Sequence, residues 1–287
     1  MPLKGSVMRQ YYSEPWMRTS ADIDILIHQE DIDAAVEILT EKLRYQNNGK
    51  YAHDIQMFSP NGVHLELHFE TIEENSVANA NAVMSNIWEN SYIKENTRYH
   101  YIASNEMFYF YHVAHMAKHV MHSGCGVRFF LDLWLLNHNV DFNDSKKREL
   151  LKIGGLSDFE RVVKRLSEVW FSEMSHNDLT ITLQEYIING GIYGTAENRM
   201  MVDHISKGGH IGYALSRIFL PYDIIKNHYP ILKKHKWLLP FCEIRRWCKL
   251  IFCGGLKRSK AELNKSAKIK VSERERMGMI FEKLGLS

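Results

Sequence analysis

The feature that most restricts how this chain can fold is residues 19–27, a run of aliphatic residues that carries Asp22 and Asp24. Alternation along a β-strand places the two carboxylates on one face and the intervening isoleucines on the other. Like charges beside so apolar a sequence are costly unless they share a cation. A hard divalent ion such as Mg²⁺ prefers oxygen ligands and is the simplest such cation. Because Asp-x-Asp also occurs in solvated turns, the flanking sequence decides between these interpretations.

Upstream of this strand lies a Gly5-Ser6 step, which precedes a predicted helix over residues 7–12. A Gly-Ser turn at the start of a helix exposes backbone N–H groups and a hydroxyl group to an anion. The Gly-Ser step is therefore a candidate contact for an anion such as a triphosphate.

Downstream, Gln29 and the acidic residues Glu30 and Asp31 start a predicted helix that extends to about Leu43. Two alternating segments, 54–59 and 63–69, then flank Pro-Asn-Gly, which is a strong hairpin signal. In the second segment Glu66 shares a strand face with two histidines, and we interpret Glu66 as the third carboxylate of the site. An edge strand with a polar outer face would show the same alternation.

His64 and His68, the two histidines on that face, are not assigned as metal ligands at this stage. A hard ion such as Mg²⁺ prefers oxygen to nitrogen, so the carboxylates alone form the predicted ligand set.

From about residue 74 the pattern predicts helices and no further strand. Ser104 is placed to cap a helix that ends near His122. Within that helix Lys118 is a candidate for neutralising phosphate oxygens, although exposed lysines are far commoner. On the next helix Arg128 and Asp132 are four residues apart, which predicts an ion pair.

The composition fits a soluble globular protein, with 287 residues of which 45% are hydrophobic and 24% charged. The four cysteines show no Cys-x-x-Cys spacing, which favours a reducing compartment. Neither a signal-peptide pattern nor a run of transmembrane length is present, so we expect a cytoplasmic protein without a membrane partner.

Charge is distributed unevenly along the chain. Residues 233–287 hold 15 Lys and Arg against 5 Asp and Glu, a local charge of about +10 in a chain whose net charge is +2. A solvated, lysine-rich surface on a helical domain is the favoured interpretation. A surface for an anionic partner such as RNA is the alternative.

Taken together, the motifs resemble the family of uncharacterised bacterial nucleotidyltransferases, within the DNA polymerase β-like nucleotidyltransferase superfamily. The resemblance rests on Leu3-Lys4-Gly5, residues 17–26, residues 63–68, His115-Met-Ala-Lys118-His119 and Arg128-Phe-Phe-Leu-Asp132. It implies an α+β fold with a nucleotidyltransferase core over residues 1–100. That core has a mixed sheet with flanking helices, and a mainly helical domain with a basic C-terminal segment follows over residues 101–287.

The resemblance also implies a function, namely metal-dependent transfer of a nucleotide from an NTP to an acceptor hydroxyl group by a two-metal mechanism. The implied ligands of Mg²⁺ or Mn²⁺, which are also the catalytic residues, are Asp22, Asp24 and Glu66. The expected nucleotide contacts are Lys4, Gly5, Ser6, Arg18 and Lys118.

The sequence leaves the acceptor open among a small molecule, a protein side chain and a tRNA end, and it leaves the oligomeric state open. Two rival interpretations also stand. One is a non-catalytic nucleotide- or RNA-binding module that retains the fold, against which the three carboxylates argue. The other is a helical scaffold whose α/β start is merely structural.

Overall fold

The computed structural model describes residues 1–51, 53–71, 77–122, 124–191, 194–252, 261, 263–267, 269 and 271–286. A four-stranded mixed sheet lies in the N-terminal part, and helices make up most of the remainder. The predicted α+β class is therefore confirmed.

The sheet contains β1 (Asp22–Leu26), β2 (Gln46–Lys50), β3 (Asp54–Phe58) and β4 (His64–His68). Its spatial order is β1-β4-β3-β2, with β1 parallel to β4 and the other pairs antiparallel. The Asp-x-Asp strand and the hairpin around Pro-Asn-Gly thus form as predicted. Strand β2 was not predicted, because it is polar, largely exposed and lacks an apolar alternation.

One face of the sheet is covered by α2 (Ile32–Glu37), which continues as a π-helical turn over Ile38–Lys42. A small hydrophobic core fills the space between them, and it consists of Ile32, Ile55, Met57, Leu65 and Leu67. Ile25 and Ile27, in β1 and directly after it, pack against this core as expected. Ile23, however, is 38% exposed, so the cover does not extend to the start of β1.

The outer edge of β1 is occupied by the first residues of the chain. The Leu3 N–H donates to the Asp24 carbonyl oxygen (3.0 Å), and the Leu26 N–H donates to the Met1 carbonyl oxygen (2.8 Å). Helix α1 (Lys4–Met8) follows directly. The helix predicted over residues 7–12 therefore begins earlier than expected, and its second half is a 3₁₀ turn over Arg9–Tyr11.

After the sheet come α3 (Ala80–Met84) and a two-stranded hairpin of β5 (Ser91–Ile93) and β6 (Tyr101–Ala103). The prediction that no strand follows residue 74 was wrong. Each of these strands has only three residues, which is too short for an alternation of apolar and polar positions to be detected.

Helix α4 (Asn105–His122) is the centre of the larger hydrophobic core, and it begins where Ser104 was predicted to cap it. The Ser104 Oγ accepts the N–H of Met107 at 3.3 Å. Around it pack residues of α5 (Val127–Asn139), α6 (Asp144–Ile153), α7 (Ser157–Phe171) and α8 (Asp178–Gly190).

The later helices are α9 (Ala196–Ser206), α10 (His210–Ile218), α11 (Tyr222–His228), α12 (Leu239–Phe252) and α13 (Val271–Lys283). Helix α13 returns to the main core, where Phe281 lies 6.0 Å from the ring of Tyr186. In the described part of the chain, no helix has the length and apolar character needed to span a bilayer.

Candidate functional site

Parallel pairing of β1 with β4 builds the polar face of the sheet. The register places Asp22 opposite His64 and Asp24 opposite Glu66. Since paired residues of neighbouring strands project to the same side, all four side chains share the face opposite α2. The three predicted carboxylates are thus brought together, and the two histidines set aside on the basis of sequence lie among them.

Two overlapping sets of possible ligand atoms result, and Glu66 belongs to both. We call Asp22, His64 and Glu66 the outer triad, and Asp24, Glu66 and His68 the inner triad. Within each triad one ligand atom from every residue lies within 4.8 Å of the others. The outer triad is partly accessible, whereas Asp24 and His68 are each only 2% exposed.

The inner triad is already bridged by cationic and hydrogen-bonding groups. The Lys4 ammonium contacts Asp24 Oδ1 at 2.5 Å. His68 Nε2 donates to the same oxygen at 2.8 Å and lies 3.3 Å from Glu66 Oε2. Asp24 is therefore held by two donors that favour its charged form.

These contacts set the pKa values of the three groups. Burial alone would raise the pKa of Asp24, but the hydrogen bond from His68 and the Lys4 charge lower it to about 2. Burial opposes the charged form of His68, yet its bonds to the two carboxylates raise its pKa above 6.5. Burial also opposes the charged form of Lys4, but the interactions of Lys4 with Tyr111 and Asp24 outweigh this effect and raise its pKa.

In the outer triad the shared Glu66 is contacted by His68, but Asp22 and His64 take no part in the contacts of Lys4 and His68. The imidazole of His64 stacks on the ring of Phe58, with centroids 4.6 Å apart and planes at 9°. Its Nε2 atom is buried, lies 3.9 Å from Glu66 Oε1, and has no hydrogen-bond partner among the described residues. Asp22 receives a hydrogen bond from the Ser20 hydroxyl group at 3.3 Å. The stacking on Phe58 fixes the orientation of the His64 ring, whose Nε2 atom lies near the Glu66 carboxylate.

A cavity of about 340 Å³ opens over this polar face, between the sheet, α1, α4 and α5. Of the residues predicted from sequence, it is lined by Lys4, Gly5, Arg18, Asp22, Asp24, Glu66 and Lys118. These seven residues come from distant parts of the sequence and line one cavity.

Ser6 is the predicted contact that the structure places elsewhere. It lines a different cavity beside Tyr11, and its backbone N–H already donates to the Leu3 carbonyl oxygen at 3.2 Å. Because α1 begins at Lys4, it is Gly5 that faces the cavity. A Cβ atom at Gly5 would lie 2.8 Å from Ser20 Oγ, so a side chain there would collide with the segment leading into β1.

Arg18 lines the cavity, but its guanidinium group is held by a carboxylate. Its Nε and terminal nitrogen donate to both oxygens of Asp132 at 2.9–3.0 Å, and the two residues are 6% and 1% exposed. The Tyr12 hydroxyl group adds a third donor to Asp132 at 2.6 Å. This is a closed, bidentate ion pair, whose charge is balanced inside the protein.

The predicted ion pair between Arg128 and Asp132 was wrong. Arg128 instead donates to the Thr19 carbonyl oxygen at 2.8 Å, while Asp132 pairs with Arg18. The helical spacing of four residues allowed the local pair. The buried carboxylate takes the bidentate partner supplied from another part of the chain, which better satisfies its oxygens.

Helix α4 contributes the wall opposite the sheet. The Tyr111 side chain is 2% exposed, lines the cavity, and has no hydrogen-bond partner for its hydroxyl group among the described residues. Burial raises its pKa, so the hydroxyl group stays protonated. Burial has the opposite effect on His119, also in this wall, and lowers its pKa to about 4.

Sequence reasoning missed the contributions of four residues to this site, namely two histidines, Tyr111 and Asp132. The alternation of His64, Glu66 and His68 gave the correct strand face, but the preference of Mg²⁺ for oxygen led us to set the histidines aside. Tyr111 belonged to a helical stripe of aromatic residues and histidines that also fits ordinary core packing. No pattern in the sequence marked Asp132 as the partner of Arg18.

Comparison with known protein families gives a match. A family model described as an uncharacterised nucleotidyltransferase matches residues 1–172, which is more than half of the chain. No curated protein matches the chain. The matched region contains the entire polar face, the cavity above it and the Arg18–Asp132 pair.

Proposed function

The chain belongs to the uncharacterised nucleotidyltransferase family, and from this premise we propose that it transfers an NMP group from an NTP to a hydroxyl group, using the polar face of β1 and β4. The observation that carries the proposal is the convergence of Asp22, Asp24 and Glu66 beneath a cavity that is also lined by lysines.

The side chains present fit a divalent metal ion. Carboxylate oxygens are the ligands that Mg²⁺ and Mn²⁺ prefer, and the Lys4 ammonium already contacts Asp24 as a cation would. We propose that Asp22, Asp24 and Glu66 hold two such ions. When bound, the ions would balance charge on the phosphates and favour ionisation of the acceptor hydroxyl group.

Lys4, Gly5 and Lys118 are the proposed phosphate contacts. Lys4 and Lys118 bring positive charge to the cavity from α1 and α4, and Gly5 allows the backbone to approach closely. Arg18, which the sequence suggested for the same role, is better suited to positioning. Its charge is balanced by Asp132, and it fixes the segment that leads into β1.

The proposed reaction is a single displacement at phosphorus. The acceptor oxygen forms a bond to the α-phosphorus while the bond from that phosphorus to the bridging oxygen breaks, and pyrophosphate leaves. Glu66 is placed to accept the proton of the acceptor hydroxyl group. A non-catalytic module would bind nucleotide with these residues but would release no pyrophosphate.

The acceptor is proposed as one of three classes, a small molecule, a protein side chain or a tRNA end. The basic residues from 233 onward favour nucleic acid by charge, although residues 253–260 lie outside the described part of the chain. Trp237 and Phe241 in this region are 69% and 63% exposed. Exposed aromatic rings beside lysines suit stacking on unpaired bases.

The test is incubation of the protein with each α-labelled NTP, Mg²⁺ or Mn²⁺, and a cell extract. We expect one macromolecular or metabolite fraction to become labelled, with release of pyrophosphate, and its chemical class identifies the acceptor. Asp22→Asn should abolish labelling, whereas Asp33→Asn, an exposed change on α2, should not. Nucleotide binding without any transfer across all NTPs would favour the non-catalytic module.

The boundary at residue 100 remains a prediction. The cavity takes lining residues from both sides of it, since Tyr111 and Lys118 lie on α4. We therefore propose that α4 and α5 function together with the sheet, whichever part of the chain folds independently.

A further inference from the structure

We propose that the outer triad is a mixed nitrogen and oxygen metal site, in which His64 Nε2 is a ligand and makes the site prefer a first-row transition ion such as Mn²⁺ or Co²⁺ to Mg²⁺. The inference rests on the proposed function for the presence of a divalent ion. It goes beyond that function in naming an additional ligand and the class of ion selected.

The first argument concerns the state of His64. Its Nε2 atom is buried without a hydrogen-bond partner among the described residues, although two carboxylates are its neighbours in the triad. A buried polar nitrogen without a partner is unfavourable, so such an atom in a folded protein calls for an explanation. A metal ion held jointly with Asp22 and Glu66 would satisfy it.

The second argument is orientation. The flat stacking of His64 on Phe58 holds the imidazole plane, and the parallel register holds Asp22 beside it. The ligand atoms of the triad lie within 4.8 Å of one another, and Nε2 is 3.9 Å from Glu66 Oε1. Such separations suit atoms that surround one ion at metal–ligand distances of roughly 2.0–2.2 Å.

The third argument is the contrast with the inner triad. There His68 Nε2 already donates to Asp24, and Lys4 provides positive charge. An ion entering that position must displace these contacts, whereas Asp22 and His64 of the outer triad take no part in them. We therefore infer that the first ion binds at the outer triad.

A separate observation indicates that a ligand belongs in the cavity that Asp22 and Glu66 line. The Tyr111 hydroxyl group is buried, lines this cavity, and lacks a hydrogen-bond partner among the described residues. A bound ion with its water molecules, or a phosphate oxygen, would supply that partner.

The choice of ion follows from ligand chemistry. Imidazole nitrogen suits transition ions, whereas Mg²⁺ is bound mainly by oxygen and water. Replacing the imidazole with an amide oxygen should therefore reduce the preference. His64→Gln makes this replacement at a similar reach along the side chain.

The experiment is calorimetric titration of the full chain with MnCl₂, CoCl₂ or MgCl₂ in the absence of nucleotide. We expect the wild type to bind Mn²⁺ and Co²⁺ at least about tenfold more tightly than Mg²⁺. In His64→Gln, Mn²⁺ and Co²⁺ affinity should fall about tenfold or more, with little change for Mg²⁺. His122→Gln, a matched change at an exposed histidine that does not line the cavity, should leave the preference unchanged.

Pulsed EPR of the Mn²⁺-loaded wild type provides a readout that does not depend on the variant folding. Coupling of the ion to ¹⁴N of imidazole is expected, and in His68→Gln it should persist. Mn²⁺ binding without ¹⁴N coupling, or equal affinities for Mn²⁺ and Mg²⁺, would overturn the inference and leave the proposed function standing. Failure of all three ions to bind, with and without NTP, would overturn both.

Discussion

Two groups of buried charge face the same cavity, and they differ in how completely they are neutralised. Asp132 receives a bidentate guanidinium group from Arg18 and a hydroxyl hydrogen bond from Tyr12. The polar face of β1 and β4 gathers Asp22, Asp24 and Glu66 around one ammonium and two imidazoles. Asp22 and His64, in its outer half, take no part in the contacts that Lys4 and His68 make with Asp24 and Glu66.

This difference separates a structural role from a binding role. A buried ion pair with its hydrogen bonds satisfied gains nothing from a ligand, and it fixes the chain segments that it joins. Clustered carboxylates with an orphaned nitrogen beside them are stabilised by an added cation. The Arg18–Asp132 pair therefore holds the cavity in shape, whereas the polar face is where we propose that a metal ion and a nucleotide bind.

The largest expected effect is on nucleotide transfer. Asp22→Asn or Asp24→Asn preserves the shape of the side chain but removes a charge from the ligand set, so the rate should fall about 1000-fold. The measurement is pyrophosphate release under saturating Mn²⁺ and NTP, with Asp33→Asn as the control. A wild-type rate in both variants would show that these aspartates are not the metal ligands.

The next effect is on stability, and it should distinguish the two groups. Arg18→Met leaves Asp132 buried without its cation, which should lower the free energy of unfolding by about 3–5 kcal/mol. Asp22→Asn relieves repulsion between like charges and should change it by less than about 1 kcal/mol. Urea denaturation of the metal-free proteins gives both values. Equal losses in the two variants would remove the distinction.

The same contrast explains which features of the molecule could be predicted from the sequence and which could not. Asp22 and Asp24 could be placed on one face of their strand, and Glu66 on the polar face of its own, because strand alternation is a local rule. That these two faces coincide depends on the parallel pairing of β1 with β4, which no local pattern supplies. The Arg18–Asp132 pair joins residues separated by 114 positions, and no local pattern encodes it.

The remaining errors have similar physical causes. The three-residue strands β5 and β6 are too short to show periodicity, and β2 has no apolar face. Ser6 was predicted to contact the nucleotide because the helix was expected to begin after it. The actual start at Lys4 rotates Gly5 toward the cavity instead.

Metal binding should stabilise the protein only when the carboxylates on the polar face of β1 and β4 are intact. An ion that binds only the folded state adds about 2.7 kcal/mol at a concentration 100 times its dissociation constant. We expect Mn²⁺ to raise the melting temperature of the wild type but not of Asp22→Asn. His122→Gln, at an exposed histidine that does not line the cavity, should respond as the wild type does.

A smaller effect is the pH dependence of stability in the metal-free protein. The pKa of Asp24 is lowered from 3.8 to about 2 in the fold, so its contribution is present above the ordinary value and is lost as the pH falls toward 2. The expected loss is about 2 kcal/mol. Asp24→Asn should lack this component when unfolding is measured in chelator across the acid range.

Extended from the acid range through neutral to alkaline pH, the same measurement reports on His68 with the opposite sign. Its pKa is raised above 6.5 by the neighbouring carboxylates, so its contribution is present below 6.5 and is lost as the pH rises through the raised value. Asp24→Asn removes one of the two carboxylate partners and should weaken this component as well. An unchanged profile in the variant would contradict the inner-triad contacts.

The most direct test of the central claim is anomalous diffraction from crystals grown with Mn²⁺ and a non-hydrolysable NTP analogue. We expect a manganese peak bounded by carboxylate oxygens of Asp22 and Glu66, with the phosphates of the analogue on its cavity side. A nucleotide and manganese bound elsewhere on the protein, with the polar face of β1 and β4 free of both, would contradict it.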